Sequence, residues 1–254
     1  DLMTGVTAGV ENDYGIGFDE LNRDLGGEKI RVSWERNIEV MEKYNDPGRF
    51  TAIIGWEWSA QPGGGNLHRV IFMPEGGEVA REFLPYSSME SDDPEDLWAW
   101  LDETSARTGA SFLAIPHNPN ISMGMMFPTE TNSGGPITRE YAETRSRWEP
   151  VVEATQIKGD SETHPMLSPN DEFADYETYN FVITPDGLTP DPTKGDYVRS
   201  GLLRGLAYEA ELGVNPYKVG MIGSTDSHTG MSSIEETSFG GKGQHDATPE
   251  KRPH

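Results

Sequence analysis

Cysteine is absent from the 254-residue sequence. That removes disulfides, thiolate metal sites and cysteine nucleophiles together, so any metal centre must be built from nitrogen and oxygen donors. Basic residues are scarce: 20 Lys and Arg stand against 43 Asp and Glu, a formal charge of −23. A field of that sign repels nucleic acid and anionic membranes, which excludes a phosphate-backbone binder as the first expectation. It also repels an anionic small molecule unless bound cations reverse the sign locally, and the plain alternative is a solvated acidic surface. Long apolar runs are missing too. With no stretch of about 18 apolar residues, the sequence offers no transmembrane helix. Two catalytic signatures are likewise missing. No P-loop or Gly-x-Gly-x-x-Gly follows a strand, and the glycine clusters at Gly63 and Gly134 lack the lysine or helix needed to cradle phosphates. Nor is there a Gly-x-Ser-x-Gly elbow for a serine hydrolase. The sequence opens at Asp1 without an initiator Met or a signal-peptide pattern, which reads as a processed or truncated piece.

What is present is an alternation of helical and strand-like runs. Residues 31–44 place Trp34, Ile38 and Met41 at helical spacing, and Asn45-Asp46-Pro47-Gly48 ends the run. Residues 94–107 predict a second helix, with Asp93 as N-cap, Pro94 in the first turn and Gly109 as the stop. Residues 139–148 and 198–212 predict two more, the last stopped by Gly213. Short apolar runs at 51–56, 69–73, 111–115, 151–157 and 218–222 predict strands. The pattern argues for an α/β layered or barrel fold in one domain segment spanning 1–254. Within it, 163–197 reads as a long surface excursion and 231–254 as a polar, Gly-rich tail.

Chemistry collects just past the strands, where α/β folds gather their ligands. TAIIGW is followed by Glu57, SFLAIP by His117 and Asn118, VVEATQI by Lys158 to Glu162, and VGMIGS by Thr225, Asp226 and His228. A carboxylate and an imidazole in an Asp-Ser-His triplet can close on one divalent ion, although the triplet alone is common. Glu57 lies between Trp56 and Trp58, as either an exposed charge or a buried carboxylate that needs a cation. His117 is a ligand or a turn cap. His68 is a ligand or a hydrogen-bonded strand histidine, and His164 a contact to substrate or a loop terminator. Lys158 and Arg69 are anion clamps or plain salt-bridge partners. Glu162 and Asn118 complete the candidate substrate contacts, and Glu153 is mid-strand. His245 and His254 fall in the tail as solvated side chains.

FTAIIGWEWSAQPGGGNLHRVIF, FLAIPHNPN, VVEATQIKGDSETHP and KVGMIGSTDSHTG together resemble the DUF3604 family, a branch of the PHP-like metal-dependent hydrolases. The resemblance implies a distorted (β/α) TIM-like barrel with two or three divalent metals (Zn, Mn or Fe) at its mouth. It implies hydrolysis, most often of a phosphoester, by metal-activated water. Glu57 would be a bridging ligand, His117 and His68 further ligands, and Asp226 with His228 the closing pair that also orients or deprotonates the water. The alternatives are amide or carboxylic ester hydrolysis, a carboxylate-pair glycosidase using Glu57 and Asp226, and a non-catalytic acidic module binding calcium or carbohydrate. The expected partner is a small, anionic substrate, and relatives point to export to the periplasm. The His-x-His and Asp-His motifs with which PHP proteins begin occur nowhere in this sequence, which reads as an internal segment carrying an incomplete barrel and metal site.

Overall fold

The structure is a computed structural model that describes residues 27–179 and 190–228, with 235, 237 and 242. Contacts divide the chain into two compact units, one of Ile53–Ser224 and the other of Asp1–Ala52 with Thr225–His254. In the second of these, α1 (Gly27–Tyr44) begins four residues before the sequence pattern suggests. Trp34 and Ile38, one helical turn apart, are its buried positions. The turn that follows closes through the Arg49 and Phe50 amides, which both donate to the Asp46 carbonyl.

The unit Ile53–Ser224 is mixed α/β with two small sheets. β1 (Ile54–Trp58), β2 (Arg69–Met73) and β3 (Leu113–Pro116) form an antiparallel sheet in that order. β4 (Val151–Gln156) is central in the second sheet, antiparallel to the two-residue β5 (Gly159–Asp160) and parallel to β6 (Gly220–Gly223). β3 and β4 lie close together. Among the described residues there is no closed barrel.

Three helices land where their caps place them. Besides the short α2 (Gly77–Ala80), they are α3 (Pro94–Thr108), α4 (Arg139–Trp148) and α5 (Val198–Leu212). The Asp93 carboxylate accepts from the Glu95 amide at 2.9 Å, and Thr138 Oγ1 from the Tyr141 amide at 3.1 Å, each satisfying an otherwise orphaned N–H. Gly109 and Gly213 both stop their helices at φ +76°, a left-handed conformation that glycine adopts without penalty. The boundary that shifts most is β1. It was expected at 51–56 with Glu57 beyond it, but the strand runs Ile54–Trp58 and holds Glu57 inside. The indole N–H groups of Trp56 and Trp58 donate to the carbonyls of Tyr86 and Ser91, so the aromatic end of the run is anchored as strand rather than released as turn.

Beneath the first sheet lies a buried ionic core. Arg69 Nε donates to Glu149 Oε1 at 2.9 Å, Trp98 Nε1 donates to the same oxygen at 2.8 Å, and Arg145 Nη2 stands 3.2 Å from Glu149 Oε2. Arg145 also lies over the Tyr217 ring, 4.7 Å from its centroid. Two guanidinium groups thus share one carboxylate, with all three side chains buried. The sequence expectation of Arg69 as an anion clamp is corrected here. Its partner is Glu149, and Arg69 is fully enclosed, with no face left for a substrate. Strand alternation is the reason, because Trp58 and Arg69 pair across β1 and β2 and point to the core face.

α5 is seated by glycine. A Cβ on Gly201 would meet three carbons of the buried Phe127 ring at 2.6 to 3.0 Å. Gly→Ala in a helix interior ordinarily stabilises by about 1 kcal/mol. Here overpacking costs about 1–3 kcal/mol and wins. Gly201→Ala is therefore expected to lower the thermal midpoint, and chemical denaturation showing a stabilised variant would contradict that seating.

Candidate metal centre

Antiparallel pairing brings the start of β2 against the ends of β1 and β3. Trp58 pairs with Arg69 and Arg69 with Pro116, and the ladder continues one step as the His117 amide donates to the His68 carbonyl at 3.3 Å. His68 and His117 therefore stand opposite each other, and Glu57 is paired with Val70, two residues on from His68. Since side chains alternate along a strand, Glu57, His68 and His117 share one face while Trp58 and Arg69 take the other. Residues far apart in sequence meet through register alone.

The result is compact. One donor atom from each of Glu57, His68 and His117 lies within 4.8 Å of the other two. Glu57 Oε1 is 2.7 Å from His68 Nδ1 and 3.0 Å from His117 Nε2. The imidazole rings meet edge to face, 5.5 Å between centroids. Both histidine side chains are buried, whereas that of Glu57 keeps 30 % of its surface exposed, so the cluster opens to solvent on the carboxylate side.

Electrostatics prepare these groups for a cation. Burial pushes the Glu57 carboxyl up, but the hydrogen bond from His117 and the close approach of the His68 ring outweigh it and hold the group far below the usual carboxylate range. Burial pulls His68 down, against the opposing pull of Glu57, which favours the neutral imidazole a metal requires. Among the described residues, His68 Nε2 and His117 Nδ1 are buried without a hydrogen-bond partner, and the short His68 Nδ1 approach to Glu57 lies outside hydrogen-bond geometry. Two imidazoles and one carboxylate form a donor set used in catalytic zinc sites. The cluster can hold a metal ion.

Around it runs a buried amide network. Asn118, in left-handed conformation directly after His117, accepts through Oδ1 from Gln156 Nε2 at 2.9 Å and from Asn66 Nδ2 at 3.4 Å. Gln156 Nε2 also donates to Glu153 Oε2 at 3.1 Å, and Gln156 Oε1 accepts from the Lys158 amide at 3.0 Å. The Lys158 charge reaches His68, adding to the downward pull on its pKa. Asn66, Glu153 and Gln156 were not singled out as site residues by sequence. Asn66 carries one usable signal, its place two residues before His68 at the mouth of β2.

Glu162 pairs with Arg199 at 2.5 Å, and Arg199 also reaches Asp171 at 2.7 Å. His164 is buried and accepts through Nδ1 from the Met166 amide at 3.2 Å. Asp226 and His228 belong to the unit that contains Thr225–His254. There Asp226 has φ +51°, and its Oδ2 lies 2.9 Å from Lys242 Nζ, which is 3.3 Å from His228 Nδ1. His245 and His254 lie outside the described residues.

No helix among the described residues is long and apolar enough to cross a membrane. No curated protein and no solved structure matches the chain. The family model of DUF3604, a protein of unknown function, matches residues 15–254. With nearly its whole length inside that match, the chain belongs to the DUF3604 family.

Proposed function

We propose that the protein is an exported, metal-dependent hydrolase that acts on a small anionic phosphoester, built on a barrel of PHP type. The meeting of Glu57, His68 and His117 within 4.8 Å carries this reading. Mixed nitrogen and oxygen donors favour Zn, Mn or Fe over Mg or Ca. A divalent ion held there would polarise a phosphoryl oxygen and stabilise charge that develops on it. Glu57 would hold the ion as a permanently ionised ligand, with His68 and His117 as neutral ones. Lys158, whose charge is felt at His68, would attract the anionic substrate against the −23 background. Asp226 and His228 are proposed as a donor pair, as the family resemblance implies.

The test is hydrolysis of p-nitrophenyl phosphate by the protein, loaded with Zn, Mn or Fe and then stripped by a chelator. Activity is expected to vanish on stripping, to return with metal, and to fall at least about a hundredfold in Glu57→Gln. Turnover of p-nitrophenyl acetate or an anilide in preference to the phosphate would move the reading to ester or amide hydrolysis. Activity that survives the chelator would end the metal reading.

A further inference from the structure

Away from Glu57, His68 and His117, the buried side chains of His164 and Tyr197 line a cavity with polar tips that lack a partner among the described residues. Residues 161–164 are stitched to the start of α5, since the Val198 amide donates to the Ser161 carbonyl at 2.9 Å and the Arg199 amide to the Glu162 carbonyl at 3.0 Å. This holds His164 beside Tyr197, with ring centroids 5.9 Å apart. Both residues are more than nine-tenths buried, at 8 % and 2 % exposure, and both line a cavity of about 180 Å³. Because His164 Nδ1 accepts the Met166 N–H, the ring proton must reside on Nε2. Burial, helped by the Asp196 and Asp160 carboxylates, pushes the Tyr197 hydroxyl up, so it stays a donor. Neither His164 Nε2 nor Tyr197 Oη hydrogen-bonds to a described residue or is sealed from the cavity.

The rest of the lining restricts the ligand. Met166, Pro190 and Pro192 supply apolar walls, and Asp191 stands exposed at the rim. Asp196 also lines the cavity, but its oxygens are committed to Ser122 Oγ and to the amides of Gly124 and Thr193. Two carboxylates disfavour an anion, and the His164 N–H and Tyr197 O–H, both donors, disfavour a cation. A molecule that accepts from N–H and O–H, donates to a carboxylate and lays C–H faces on proline and methionine is a polyol. The volume, about that of half a dozen waters, admits something the size of one sugar ring.

We propose that this cavity binds a neutral, hydroxyl-rich molecule of monosaccharide size, with His164 Nε2–H and Tyr197 Oη–H donating to its oxygens and Asp191 accepting from its hydroxyls. None of the three metal donors takes part, so the site stands or falls independently of the hydrolase reading.

Protein-observed NMR of the whole chain, following the His164 imidazole C–H resonances, tests it with D-glucose, D-mannose and myo-inositol as probes. At least one should shift His164 saturably. Tyr197→Phe, which keeps the ring and removes one donor, should weaken that binding about fivefold, the worth of one hydrogen bond. Asp191→Asn, at the exposed rim, should weaken it by a similar factor while leaving the fold intact. Inorganic phosphate, acetate and N-methylacetamide serve as anionic and amide probes. The proposal is overturned if none of the polyols shifts His164, or if phosphate, acetate or the amide binds more tightly than they do. It is equally overturned if both variants bind sugar as well as the native chain.

Discussion

A metal held by Glu57, His68 and His117 is expected to be lost in His117→Ala. With only His68 and Glu57 left, a loaded site loses one of three protein donors. Structural zinc sites with four ligands bind with about 10–16 kcal/mol, so one ligand is worth about 3 kcal/mol, or roughly a hundredfold in affinity. After dialysis against a weak competing chelator, elemental analysis should find about one Zn, Mn or Fe per native chain and almost none in the variant. The melting temperature should report the same event, because a ligand present at about 100 times its Kd stabilises the native state by about 2.7 kcal/mol. That increment should disappear in His117→Ala and in native protein stripped of metal. Equal metal content in both proteins would show that the three donors are not a metal site.

The second large effect is expected from Glu149→Gln. The amide keeps the shape and leaves an acceptor for Arg69 and Trp98, but it removes the single negative charge between two buried guanidinium groups. Breaking a buried pair in this way costs about 3–5 kcal/mol, most of it the penalty of the cations left behind. Urea denaturation followed by tryptophan fluorescence measures it, since Trp58 and Trp98 lie against Arg69 and Arg145. A loss under about 1 kcal/mol would mean that the network contributes shape but little net stability.

The same group predicts an acid dependence. Burial raises the Glu149 carboxyl, but Arg69 and Arg145 overcome it and hold it below its ordinary value. A depressed folded pKa gives stability that is complete above the unfolded value, about 4.3, and is lost as pH falls below it toward the folded value. Native protein should therefore lose stability steeply from about pH 4 downwards, and Glu149→Gln should show a shallower slope over that range.

Helices were legible because their punctuation is local. Asp93, Pro94, Gly109 and Gly213 act within one turn of themselves, and α3, α4 and α5 begin and end within a residue of the pattern. Strands were located less sharply, because what fixes their ends is remote. Ser91 and Tyr86 anchor the indoles of β1, and neither is marked by proximity in sequence. Glu57, His68 and His117 were legible as candidate donors by residue type, although Glu57 lies within β1 rather than past its end. Their shared face was not, because it depends on which strands pair and in which direction. Arg69 shows the limit most clearly. Its charge beside a histidine suggested a site residue, while its neighbouring position in β2 turns it to the opposite side of the sheet, toward a glutamate 80 residues away. Glu149 and Arg145 carry no motif at all. Tyr197 was hidden for another reason, since an aromatic ahead of a helix reads as packing until its hydroxyl is found without a partner among the described residues.

One consequence reaches back to the first sheet. His68 sits on the ligand side only because β2 is aligned so that Arg69 faces Trp58 and Pro116. Slipping that strand by a single position would turn His68 inward and push Arg69 outward, destroying the coordination geometry and the buried ion pair at once. A cation in this cleft would thus serve as a proofreader of strand alignment, rewarding one threading of the hairpin and no other.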